Sequence, residues 1–65
     1  MTDEILHEID QAINSLETLW RTKKRRTKKR MQMEQQIYQE LENRIGREQA
    51  EKYWPGINQA AQERL

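Results

Sequence analysis

The chain has 65 residues and no cysteine, which leaves room for one small domain and excludes a disulfide framework and a thiolate metal site. Its net charge is only +1, yet residues 21 to 30 hold eight of the twelve Lys and Arg; the remainder has four basic and eleven acidic residues, a balance of −7. No apolar run reaches the roughly 20 residues of a membrane span, and the acidic start lacks the basic region of a signal peptide. We expect a protein of the cytoplasm, or of the nucleus in a eukaryote.

The first predicted element is an amphipathic helix over about residues 3 to 22. Apolar residues recur there on one side of a wheel of 3.6 residues per turn, while polar residues take the other side. Thr2 ahead of two acidic residues is typical of a helix N-cap. The apolar face comprises Ile5, Leu6, Ile9, Ala12, Ile13, Leu16, Leu19 and Trp20.

A second helix is predicted over about residues 30 to 45. Its apolar stripe has a spacing of four residues, through Met33, Ile37, Leu41 and Ile45, with Met31 and Tyr38 at its edge. Gly46 follows directly, at the position where a left-handed C-terminal cap would lie. We therefore expect the chain to bend there.

The C-terminal segment carries a third apolar pattern on a different face. It runs through Ala50, Tyr53, Trp54, Ile57, Ala60 and Ala61. Pro55 disfavours helix at the residue before it and lacks a backbone donor. The sequence therefore predicts two helical pieces, 47 to 54 and 57 to 64, separated by a turn.

These elements predict an all-α fold with two possible arrangements. A helical hairpin that reverses near residue 26 would pair the stripes in order: Trp20 with Met33, Leu16 with Ile37, Ile13 with Leu41 and Ile9 with Ile45. The reversing segment contains no Gly, Pro, Asn or Asp, so one long helix is the competitor. Two stripes cannot enclose a core alone. We favour a homodimeric helical bundle over a monomer closed by the C-terminal segment.

The basic segment "RTKKRRTKKR" is the first candidate for function. Eight like charges in ten positions repel one another, and a polyanion would relieve that repulsion. We expect nucleic acid, DNA or RNA, bound mainly through backbone phosphates, since the segment has no aromatic residue for stacking on bases. An acidic protein, an anionic membrane surface or no partner at all are the alternatives. The predicted site residues are Arg21, Lys23, Lys24, Arg25, Arg26, Lys28, Lys29 and Arg30.

The second candidate is docking on a larger protein, as an inhibitor, adaptor or assembly factor. Trp and Tyr dominate interface hot spots, so Tyr53, Trp54 and Ile57, or the apolar helix faces, could hold such a partner. Burial of Trp54 in a small bundle is the simpler interpretation.

An enzyme is not expected, and we predict no catalytic residue, metal or cofactor. His7 is the only histidine and there is no cysteine, which leaves almost nothing for nucleophilic catalysis. Glu4 and His7 have the spacing found in di-iron bundles, but they lie on the polar face of the first helix. A surface helix start explains them better.

Overall fold

A computed structural model describes the backbone from Thr2 to Leu65 and the side chains from Glu4 onward. It has three helices: α1 (Thr2–Thr22), α2 (Lys28–Ile45) and α3 (Arg47–Glu63). All three pack against one another, and over residues 2 to 65 no strand forms. The predicted all-α fold is confirmed. The cap predicted at Thr2 lies outside the described side chains.

The chain reverses between α1 and α2, so the first two helices form a hairpin and not one long helix. Trp20 Nε1 donates to Glu34 Oε2 at 2.7 Å near the turn, and Glu8 and Arg44 form an ion pair at 3.4 Å near the other end. The first contact lies one residue, and the second two residues, from the register predicted from the stripes. The matching lengths of the two apolar stripes therefore set the alignment of the hairpin.

The core is small and half of it is alanine. Six residues form the buried cluster: Ala12, Leu16, Leu41, Ala50, Ile57 and Ala61. Leu16 and Ile57 are its only fully buried large side chains among the described residues. Partly buried neighbours, Trp20 and Trp54 among them, complete the packing. Because α3 covers both stripes, one chain encloses this core.

Two members of the predicted stripes face solvent. Met33 is 38% exposed and Leu6 is 60% exposed. A spacing of four residues exceeds the 3.6-residue turn, so each step moves about 40° around the helix, and Met33 lies about 80° from the buried Leu41. Leu6 is displaced by a similar angle from Leu16. Both positions are therefore at the margins of their stripes.

The predicted break at Pro55 is wrong, since α3 continues through it. The proline removes one backbone donor, the one that would have bonded to Glu51. The apolar pattern nevertheless keeps a single helical phase, and Ala50, Ile57 and Ala61 are all buried on one face. Burial of that face offsets the local cost of the proline, because tertiary packing supplies most helix stability in proteins.

Gly46 is the junction between α2 and α3. Its N–H donates to the carbonyl of Glu42 at 2.9 Å, and its own carbonyl accepts from Ala50 N at 3.0 Å, so one residue ends α2 and begins α3. Its φ of 90° and ψ of 155° form a combination open essentially to glycine alone. The cap predicted at this position is therefore present with a positive φ, but its ψ lies in the extended region open to glycine and not in the left-handed helical region.

Among the described residues, no helix combines the length and the hydrophobicity that a membrane span requires.

The two glycines should respond in opposite directions to the same substitution. Gly46→Ala should lower the free energy of unfolding by about 1 to 3 kcal/mol, because alanine is strained at that φ and ψ. Gly56→Ala should raise it by about 1 kcal/mol, because Gly56 lies inside α3 with open space at its Cβ position. Urea denaturation followed by circular dichroism measures both. Equal effects would contradict the described junction.

Candidate nucleic-acid interface

The basic segment forms the end of the bundle where α1 and α2 meet. Residues 23 to 27 make the turn, and the remaining basic residues lie in the last turn of α1 or the first turn of α2. Lys23 N–H donates to the Leu19 carbonyl at 2.8 Å, and Thr27 N–H to the Arg25 carbonyl at 3.0 Å. The charges therefore project from one end of the molecule and are not spread along a helix.

Arg30 holds this turn together. Its Nη1 donates to the carbonyls of Lys23 at 3.2 Å and Lys24 at 3.1 Å, and its Nε donates to Glu34 Oε2 at 3.2 Å. The guanidinium lies 5.4 Å from the centroid of the Trp20 ring. Only 15% of the Arg30 side chain is exposed. Arg30 therefore stabilises, through its side-chain hydrogen bonds, a turn that contains no Gly, Pro, Asn or Asp.

Two further groups complete the turn. Glu34 Oε2 accepts from both Arg30 and Trp20, so one carboxylate joins α1 to α2. Thr27 is the N-cap of α2, and its Oγ1 accepts from Arg30 N at 3.2 Å. The hydroxyl satisfies one of the backbone donors that a helix start leaves without an intrahelical partner.

Arg21 is also engaged by the fold. Its Nη2 lies 2.9 Å from Glu17 Oε2 and donates to the Arg64 carbonyl at 2.8 Å. The Arg64 side chain in turn donates to Asn14 Oδ1 at 2.8 Å. These contacts fasten the C-terminal end of α3 to α1, although Arg21 remains 59% exposed.

The other six basic residues form what we call the basic tip: Lys23, Lys24, Arg25, Arg26, Lys28 and Lys29. Lys23 is partly buried and the rest are exposed. Within residues 4 to 65, no carboxylate lies in ion-pair range of any of them. The first turn of α2 contains no acidic residue, so the positive end of its dipole adds to the same positive field.

A groove between α2 and α3 begins beside the basic tip. It has a volume of about 640 Å³, and Arg26 and Met31 line its end nearest the turn. Tyr38 and Trp54 meet there edge to face, with ring centroids 5.1 Å apart. Burial, with the nearby carboxylates of Glu51 and Glu42, raises the pKa of Tyr38 above its ordinary value. The Tyr38 hydroxyl therefore stays protonated near neutral pH.

The residues predicted for partner docking are not one surface. Ile57 is 1% exposed and belongs to the core, so it cannot anchor a partner. Tyr53 and Trp54 are partly buried and pack against that core. Trp54 still lines the α2/α3 groove, whereas the Tyr53 ring lies 5.5 Å from Lys52 Nζ.

The two residues with metal-like spacing lie on the surface of α1. Glu4 and His7 are both exposed, and His7 Nε2 lies 3.4 Å from the Gln11 amide. Across the described part of the chain, no group of three or more His, Cys, Asp or Glu side chains could hold a metal ion.

Comparison with protein-family models, with curated proteins and with solved structures finds no match.

Sequence reasoning missed two features of this region. Glu34 was not singled out, although its position four residues after Arg30 is the usual spacing of a helical ion pair. The proximity of Tyr38 to Trp54 had no sequence signal, because the two residues lie on different helices.

Adjacent basic residues should differ sharply in their effect on stability. Arg30→Gln should lower the free energy of unfolding by about 1 to 3 kcal/mol, because it removes the donor to two turn carbonyls and one of the two donors to Glu34. Lys29→Gln removes the same charge from an exposed position of the basic tip, so its effect should stay within about 0.5 kcal/mol. Chemical denaturation of both variants tests this. A neutral Arg30→Gln would show that the turn does not depend on the guanidinium.

Proposed function

We propose that this protein binds nucleic acid through the basic tip, mainly by contacts with backbone phosphates. The observation that carries the proposal is the set of six clustered cationic side chains, for which the described residues provide no acidic partner. Arg21 and Arg30, predicted as contacts from the sequence, have structural partners and are assigned to the fold.

The charge distribution supports a polyanion as the ligand. Like charges held together in a turn destabilise the folded state, and the dipole of α2 adds to that cost. The bundle outside residues 21 to 30 has a balance of −7, so phosphate is repelled elsewhere. Attraction is therefore confined to one end of the molecule.

Counterion release predicts how steeply the affinity should fall as the salt concentration rises. Neutralising six phosphates of a single strand would give a slope of log affinity against log salt of about −4. Such contacts carry no base sequence information by themselves. We therefore propose a non-enzymatic accessory or regulatory protein that is attracted to nucleic acid by electrostatic contacts with its phosphates.

The homodimer remains a prediction, since one chain is described. The need for a second copy is smaller than the stripes implied, because α3 closes the core. Sedimentation equilibrium would establish the oligomeric state.

Docking on a larger protein is the weaker alternative function, because Ile57 is buried.

Affinity for nucleic acid should depend on the basic tip and on salt. Fluorescence anisotropy of a labelled single strand should show affinity falling steeply between about 50 and 200 mM salt. In Lys24→Gln/Arg25→Gln, the magnitude of the slope should drop by about 1.4, since each lost contact removes about 0.7.

The matched control removes two charges away from the tip. Arg44→Gln/Lys52→Gln changes the net charge equally but leaves residues 21 to 30 intact. It should retain the slope of the unmodified protein. If both double variants bind equally weakly, the net charge and not the basic tip determines the affinity. Absence of binding at low salt would overturn the proposal.

A further inference from the structure

The α2/α3 groove is a second surface that the basic tip alone does not explain. It opens beside the turn and contains two aromatic rings, whereas the basic segment itself contains none. Tyr38 is ten residues beyond Lys28 along α2, a distance of about 15 Å. A strand held at the tip could therefore reach the rings within a few nucleotides.

We propose that this groove receives the bases of a single-stranded nucleic acid whose phosphates lie on the basic tip. This inference rests on the proposed function and specifies its ligand. Proteins that bind single strands combine a positive path for the backbone with aromatic side chains on which bases stack. Here these two parts come from different elements, and Arg26 lines the groove at their junction.

The electrostatics of the groove favour this ligand. Two carboxylates line it, and both have arginine partners: Glu34 pairs with Arg30 at 3.2 Å, and Glu51 pairs with Arg47 at 3.3 Å. Arg26 has no such partner among the described side chains. The positive charge without a described partner therefore lies at the tip end of the groove, where it would attract a phosphate.

The lining also suits base edges. Gln32 and Gln35 are exposed at the groove, and side-chain amides can donate to and accept from bases. Met31, which is 50% exposed, adds an apolar surface between the tip and the rings. In a duplex the bases are already stacked inside, so the groove would select single strands.

A comparable groove between α1 and α2 serves as an internal reference. It has a volume of about 520 Å³ and also begins beside the turn, at Lys23. Met33 lines it, but no aromatic ring does. A basic residue therefore lines the turn end of each groove, whereas aromatic rings line only one of these two grooves.

The test compares two strands of equal length and phosphate number, one with bases and one abasic throughout. Anisotropy at fixed salt gives the affinity ratio of the two strands, and tryptophan emission reports contact at the rings. We expect the strand with bases to bind at least about fivefold more tightly. It should also quench emission, whereas the abasic strand should not. Trp54→Phe, which keeps a ring at that position, should lose most of the quenching.

Two methionine variants locate the base contact. Met31→Glu and Met33→Glu place the same charge on exposed positions two residues apart, so each should weaken phosphate attraction by a similar amount. Only Met31→Glu should bring the affinity ratio of the two strands close to one. Circular dichroism verifies that both variants fold.

The outcomes separate this inference from the proposed function. If both strands bind equally well without quenching, the tip binds phosphate and the groove does not take bases. If neither strand binds, both proposals fail. An equal ratio in the two methionine variants would also overturn the groove assignment. A change in sedimentation with Met31→Glu, while the ratio stays high, would identify a second copy of the chain as the occupant.

Discussion

The contacts around the Arg30 guanidinium hold the chain reversal on which the rest of the fold depends. Between α1 and α2 the chain must turn within a segment of like charges that has no residue specialised for turns. Arg30 stabilises that turn because its charge is matched by Glu34 and its donors reach two turn carbonyls. Without the reversal, the stripes of α1 and α2 would not face each other, and α3 would have no surface to cover.

The core explains why α3 passes through a proline. Its alanines, at positions 12, 50 and 61, leave little side-chain bulk between the helices, so burial depends on keeping α3 in one continuous register. A turn at Pro55 would displace Ile57 and Ala61 from the face that begins at Ala50. Losing one backbone hydrogen bond is the smaller cost, because apolar burial in so small a domain is limited. Local preference therefore yields to packing at this position.

The same comparison shows what the sequence could predict. Periodicity predicted the first two helices and the order in which their stripes pair in a hairpin, because the spacing of apolar residues determines which faces must meet. It failed where the local and tertiary signals disagree, at Pro55, and at the margins of the stripes, as with Met33. Composition identified the cationic segment but could not distinguish the basic residues with partners in the fold from those of the basic tip. Whether an arginine binds a carbonyl of its own turn or projects into water depends on side-chain geometry, and Tyr38 and Trp54 meet only through packing.

That division separates the cationic residues that stabilise the fold from those that we propose bind nucleic acid. Arg30 and Arg21 have partners within the bundle, so the fold can tolerate a cluster of like charges beside them. The six residues of the basic tip contribute repulsion, and none of them forms an ion pair with a described side chain. A ligand of opposite charge would reduce the repulsion among these six residues. Because the two sets do not overlap, the basic tip can be neutralised while Arg30 keeps the turn in place.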